Sequence, residues 1–188
     1  MKFRNKFKSI RTLVLGVIVF GLASCSDNLL DLNVDPNSPT TVPASNLVTQ
    51  AQYNFFDRMH SRVLNGEWGM LMVQHWAQNE YCEESRYVVD GNSFDGTWQN
   101  FYASSLNELS VARSIIEGDE TVVGAARVNQ LAIIDIMKTV SFQTLTELWG
   151  DVPYTEALNT EFPKPSYDTQ ADIWSDLLAS LDASVASI

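Results

Sequence analysis

The architecture of this chain follows from residues 131–157, LAIIDIMKTVSFQTLTELWGDVPYTEA. Apolar side chains cover most sides of the first part of this segment, which is typical of a long helix buried between neighbours. Gly150 follows directly, and a residue without a Cβ permits the sharp backbone exit that ends a helix. We therefore predict a long fourth helix over residues 120–149, followed by an extended link.

The residues after Gly150 indicate a structural role. The Asp151 carboxylate can accept backbone N–H groups in the turn, and Pro153 restricts the chain to an extended course. The ring of Tyr154 is large enough to fill the space between two helices. We interpret residues 150–154 as structural and not as a ligand site.

Helical periodicity continues on both sides of this segment, with apolar side chains at i and i+4. Short turns separate the helices, and no alternation typical of strands intervenes. This pattern predicts an all-α fold of stacked helix pairs with long irregular loops, one of them over residues 80–96, although the tetratricopeptide repeat template is not cleanly matched. The further predicted helices begin at Ser45 or Asn46 and end at Asn65-Gly66, run over 67–79 and 97–117, and follow Pro165.

The first residues are typical of an exported lipoprotein. A basic segment precedes an apolar run of ten residues over 13–22, which suits a signal peptide and is too short to span a bilayer, where about 20 are needed. The run ends in Leu-Ala-Ser before Cys25. We predict a signal peptide over 1–24, acyl chains such as palmitate on Cys25, a tether over 25–43 and a helical domain over 44–188. An ordinary secretory signal with a chance cysteine is the alternative.

Charge excludes several classes of function. The 12 Lys and Arg against 23 Asp and Glu give a net charge of −11. The leader holds five of the basic residues and no acid, so its removal leaves 7 against 23 and a net charge of −16. Such a chain repels phosphate backbones, which excludes general nucleic-acid binding. Docking on anionic lipids through charge alone is disfavoured as well.

Motifs for catalysis or metal binding are weak. Cys82 and His75 could form a nucleophile and base in a lipid-anchored hydrolase, although no third group is marked to orient them. The acids of 80–96 could bind calcium, but they lack the EF-hand order, and a solvated acidic loop is the better interpretation. We expect no metal and no cofactor.

Aromatic residues are concentrated between residues 68 and 102. Sugar rings have apolar faces that stack on Trp and Tyr, while their hydroxyls need Asn, Asp or Arg. Most of these aromatics could instead be helix core, among them Trp76, Trp98 and Tyr102. The candidate ligand-binding residues are Tyr81, Arg86, Tyr87, Asn92 and Trp98.

Several of these stretches together resemble one known family. The segment WGDVPYTEA over 149–157, DPNSP over 35–39 after the cysteine at a lipoprotein cleavage site, and the helix of 173–182 are similar to SusD/RagB-like outer-membrane lipoproteins. Members of that family are usually two to three times longer. We therefore expect residues 44–188 to be the N-terminal part of a longer α-helical domain, a view that the uncapped last helix also favours.

The resemblance implies an α-rich fold of tetratricopeptide-like helix pairs and a function in nutrient uptake. Such proteins are lipid-anchored at the outer membrane and surface-exposed, bind a glycan or peptide, and deliver it without catalysis to a TonB-dependent, SusC-like transporter. A structural surface lipoprotein without a small ligand is the alternative from another class.

Overall fold

A computed structural model describes residues 41–90 and 92–188. The predicted signal peptide, Cys25 and nearly all of the tether lie outside these residues. Within them the chain is helical, with one isolated antiparallel bridge between Val152 and Asp168. The prediction of an all-α fold is confirmed.

The first helical region corrects two predicted boundaries. Helix α1 covers Ala44–Met59, and a π-helical segment covers Arg62–Leu71. The helix end predicted at Asn65-Gly66 is wrong. Helix α1 already ends at Met59, and the Ser61 side chain then accepts the N–H of Leu64 and starts the π-helical segment, which continues through Gly66. The helix predicted over 67–79 ends at Leu71.

The second helical region agrees with the sequence. Helix α2 (Asp95–Gln99) continues through a π-helical turn (Asn100–Leu106) into α3 (Asn107–Gly118), as predicted for 97–117. Helix α4 covers Gly124–Trp149, and α5 covers Gln170–Ser187. Helix α4 begins four residues later than predicted, since the Asp119 carboxylate accepts the N–H and hydroxyl of Thr121 in a turn.

Two apolar clusters form the core, and α4 contributes to both. One cluster centres on Leu109, Ala112 and Ile134, where α1, α3 and α4 meet. The other joins α1, the π-helical turn, α4 and α5, and it includes a residue of the link after Gly150. Its buried members are Phe55, Leu64, Phe101, Leu106, Phe142, Leu145, Val152, Ile173 and Leu177.

The link between α4 and α5 contacts both helices and holds them together, in agreement with the structural role predicted for residues 150–154. Gly150 has φ +77°, a backbone region that favours glycine. The Tyr154 ring lies edge-on against Phe142 of α4 with centroids 4.7 Å apart, and its hydroxyl donates to Asp176 of α5. The Asp151 carboxylate bonds α5 and not the turn that contains it. It accepts the N–H of Gln170 at 2.9 Å, which is one of the backbone N–H groups left without a helical partner at the start of α5.

Candidate functional site

Aromatic rings from four segments of the chain meet beside this link. Trp98 of α2 lies edge-on to Trp149, the last residue of α4, with centroids 5.2 Å apart. Trp98 also lies nearly parallel to Tyr167, with centroids 6.4 Å apart and 21° between the rings. Phe94 contacts Trp149 at 5.9 Å and Trp68 at 4.3 Å. The result is one continuous aromatic surface.

This surface lines a cavity of about 430 Å³, which we call the aromatic cleft. The size is that of a small-ligand pocket, and a mainly apolar wall with a few polar groups is the usual composition of such pockets. Its lining residues are Asp90, Phe94, Asp95, Trp98, Trp149, Asp151 and Tyr167.

The position of Tyr167 is set by its neighbour Asp168. The Asp168 carboxylate accepts the N–H groups of Tyr154 and Thr155 and the Thr155 hydroxyl, each at 2.9 Å. Burial alone would raise the pKa of this carboxyl, but the three hydrogen bonds outweigh it and lower the pKa below its ordinary value. Tyr167 itself remains 65% exposed, so its ring is available on one side.

The charged groups of the aromatic cleft are three exposed carboxylates. Asp90 uses one oxygen to accept the N–H of Asn92 at 2.9 Å and the hydroxyl of Ser93 at 3.0 Å. Asp151 holds the start of α5, as described above. Asp95 lies in the first turn of α2, where the helix dipole favours a negative charge. These groups can accept hydrogen bonds from hydroxyl or ammonium groups of a ligand.

A second cavity of about 410 Å³, which we call the loop cleft, shares Asp90 with the first. Its wall is ordered by Gln78, whose amide donates to Glu84 at 2.8 Å and accepts the N–H and hydroxyl of Ser85. That bond from Gln78 is the main reason the pKa of Glu84 is lowered. Tyr81 lines this cleft and is 84% exposed.

The five predicted ligand-binding residues separate in space. Trp98 lines the aromatic cleft, and Tyr81 lines the loop cleft. The other three line neither cleft. The Arg86 side chain donates to the Cys82 carbonyl at 3.3 Å, the Tyr87 hydroxyl donates to the Met72 carbonyl at 3.2 Å, and Asn92 is exposed beside Asp90.

Sequence reasoning did not identify Trp149, Asp151 and Tyr167 as lining residues. The sequence predicts a structural role for Asp151, and the residue has two roles, because it bonds the start of α5 and lines the aromatic cleft. The signal in the sequence that could have identified Tyr167 is that it is an aromatic residue in a proline-rich link.

The proposed catalytic pair finds no support in the geometry. His75 is exposed, and the Cys82 thiol donates to the Gln78 carbonyl at 3.3 Å. Over 41–90 and 92–188, no group of three or more His, Cys, Asp or Glu side chains could hold a metal ion. Within the same ranges, every helix is too short or too polar to cross a bilayer.

Comparisons with known proteins agree with the fold. The model of the SusD-like family, described as starch-binding and associating with the outer membrane, matches residues 36–188. A solved chitin-binding protein has 26% sequence identity with the chain and a TM-score of 0.58. That match covers 77% of this chain and 31% of the chitin-binding protein, so the chain spans about a third of that protein's length. No curated protein matches at a significant level.

Proposed function

The chain belongs to the SusD-like family of starch-binding proteins that associate with the outer membrane, and on that premise we propose that its aromatic cleft binds an oligosaccharide. Membership favours a binding protein over an enzyme, in agreement with the sequence prediction. The observation that carries the proposal is the near-parallel pair of Trp98 and Tyr167 beside three carboxylates.

The chemistry of the aromatic cleft suits a sugar. The C–H faces of a pyranose ring are apolar and pack on the broad, electron-rich faces of Trp and Tyr. Its hydroxyls point outward around the ring edge, where the carboxylates of Asp90, Asp95 and Asp151 can accept hydrogen bonds. A chitin-binding protein among the structural relatives supports a glycan as the ligand.

We further propose that the protein is held on the cell surface through lipid on Cys25 and passes its ligand to a TonB-dependent, SusC-like transporter. A single acyl chain binds a membrane only marginally, whereas several chains at one cysteine anchor a protein firmly. A Cys25→Ser variant should therefore leave the outer-membrane fraction. If the variant stays in that fraction as the parent does, the lipid is not the anchor.

The binding proposal is tested by Tyr167→Ala with isothermal titration against maltohexaose and chitohexaose. Removing one exposed stacking ring should weaken binding about fivefold to tenfold, which corresponds to about 1 kcal/mol or slightly more. The melting temperature should change little, because the ring is largely exposed. Tyr53→Ala is the matched control, since Tyr53 is 63% exposed on α1 and does not line the aromatic cleft.

Two results would contradict this function. If neither oligosaccharide binds the parent, the alternative of a structural surface lipoprotein without a small ligand is favoured. If Tyr167→Ala and Tyr53→Ala weaken binding equally, the ligand lies elsewhere. A parallel Tyr81→Ala variant reports whether the ligand reaches the loop cleft.

A further inference from the structure

We propose that the aromatic cleft selects oligosaccharides that carry protonated amino groups, such as glucosamine oligomers, over neutral and acidic ones. This inference rests on the proposed function and adds a substrate class to it. It follows from the charges around the cleft, from the aromatic faces beside those charges, and from the donors that an ammonium group brings.

The charge of the aromatic cleft is of one sign. Asp90, Asp95 and Asp151 line it, and within the part of the chain that the structure describes no Lys or Arg does. Lys164 is the basic residue nearest to Tyr167 in sequence, and it too lies outside the lining. The loop cleft differs, because Arg62 lines it and pairs with Glu67 at 2.6 Å.

The negative field extends behind the cleft wall. Asp168 follows Tyr167 directly and stays ionised through its three hydrogen bonds. A cleft lined by charges of one sign concentrates counter-ions and repels ions of the same sign. Uronate and sulfated sugars are therefore disfavoured here.

Aromatic faces strengthen the preference for a cation. An ammonium within about 6 Å of a Trp or Tyr ring centre is attracted by the electron-rich face, and Trp is the best partner. Trp98, Trp149 and Tyr167 supply such faces next to the carboxylates. A protonated amine also has three N–H donors, whereas an acetylated amine is neutral and has one. Carboxylates beside aromatic faces therefore distinguish an amino sugar from its acetylated form.

The test compares three hexasaccharides by titration calorimetry on the whole chain at low salt: glucosamine, N-acetylglucosamine and galacturonate. From three exposed charge pairs we expect the glucosamine hexamer to bind roughly tenfold more tightly than the acetylated one. Galacturonate should bind most weakly. Added salt should reduce the preference, because exposed charges are screened.

The matched variants separate local charge from total charge. Asp95→Asn with Asp151→Asn should reduce the tenfold preference to about twofold. Asp57→Asn with Asp182→Asn removes the same charge from exposed positions outside the cleft lining and should preserve the preference. An equal loss in both pairs would overturn the inference.

Failure of this inference is distinguishable from failure of the proposed function. If the acetylated hexamer binds as tightly as the amine, the amine selectivity is wrong. If the preference survives Asp95→Asn with Asp151→Asn, the carboxylates of the aromatic cleft are not its source, and the inference is wrong. Oligosaccharide binding stands in both cases. If none of the three hexamers and no maltohexaose binds, oligosaccharide binding itself is wrong, and the selectivity falls with it.

Discussion

Two irregular segments of similar length line the aromatic cleft, and they are held in different ways. The link over 150–169 supplies Asp151 and Tyr167, and the loop over 72–94 supplies Asp90 and Phe94. The link has interior residues, since Val152 is 0% exposed and packs with the core. No residue from 72 to 90 is buried.

Their hydrogen bonds differ in the groups that make them. In the link, the Glu156 carboxylate accepts from Ser166, ten residues away, and the Asp168 carboxylate accepts from Tyr154 and Thr155, at least thirteen residues away. In the loop, the Gln78 amide bonds residues six and seven positions away, and the Tyr87 hydroxyl donates to the Met72 carbonyl fifteen residues away. The loop holds three residues other than glycine at positive φ, Gln74, Tyr81 and Tyr87, and the link holds one, Leu158; this backbone region costs energy for residues that carry a side chain.

The difference indicates that the link and the loop have different roles. A segment anchored in the core fixes the position of Trp149 and Tyr167, while a segment without buried residues can change without disturbing the core. Stability should therefore depend on the link, and ligand preference can vary through the loop. This comparison is open to test with matched substitutions.

The largest expected effect comes from the same substitution, valine to alanine, made once in the link and once in the loop. Val152→Ala should lower the free energy of unfolding by about 2–3 kcal/mol, because it removes buried methyl groups and leaves a cavity. Val89→Ala should change it by less than about 0.5 kcal/mol, because Val89 is 50% exposed in the loop. Urea unfolding of both variants measures the contrast. Equal losses would show that the loop contributes to the core as much as the link does.

Sequence predicted the parts of the fold that depend on periodicity and on turn residues. Apolar residues every third or fourth position placed α3, α4 and α5, and Gly150 marked the end of α4. The same periodicity failed at Met72 and Trp76, which lie in the helix predicted over 67–79, because the helical segment ends at Leu71. Spacing reports which side chains share a face, but it does not report whether another element covers that face, and Trp76 is largely exposed.

The candidate site could be predicted only in part, for a similar reason. Trp98 stood out because it lies within a local concentration of aromatic residues. Trp149 and Tyr167 are more than fifty residues further along the chain. They reach Trp98 because Val152 and Asp168 pair across the link. No local sequence pattern encodes that pairing. It is stabilised by hydrogen bonds in which the Asp168 carboxylate accepts backbone N–H groups from the other end of the link.

The smaller expected effect concerns the Asp168 carboxylate, which holds the link closed. Asp168→Asn keeps the shape of the side chain and loses the charge that strengthens its three hydrogen bonds. We expect a loss of about 1 kcal/mol in the free energy of unfolding at pH 7. Glu80→Gln in the loop, at an exposed position, should cost less than about 0.5 kcal/mol.

The pH dependence of that loss distinguishes a charge effect from a packing effect. Because the pKa of Asp168 is lowered in the folded state, its stabilisation is present above the ordinary aspartate pKa of 3.8 and is lost as the pH falls through the lower folded value. The difference between parent and Asp168→Asn should therefore be constant from pH 7 to about pH 5 and should shrink towards pH 3. Urea unfolding at each pH measures it. A difference that stays the same at pH 3, or no difference at pH 7, would contradict a role for the charge of Asp168, and the link would then owe its order to Val152 and its apolar neighbours.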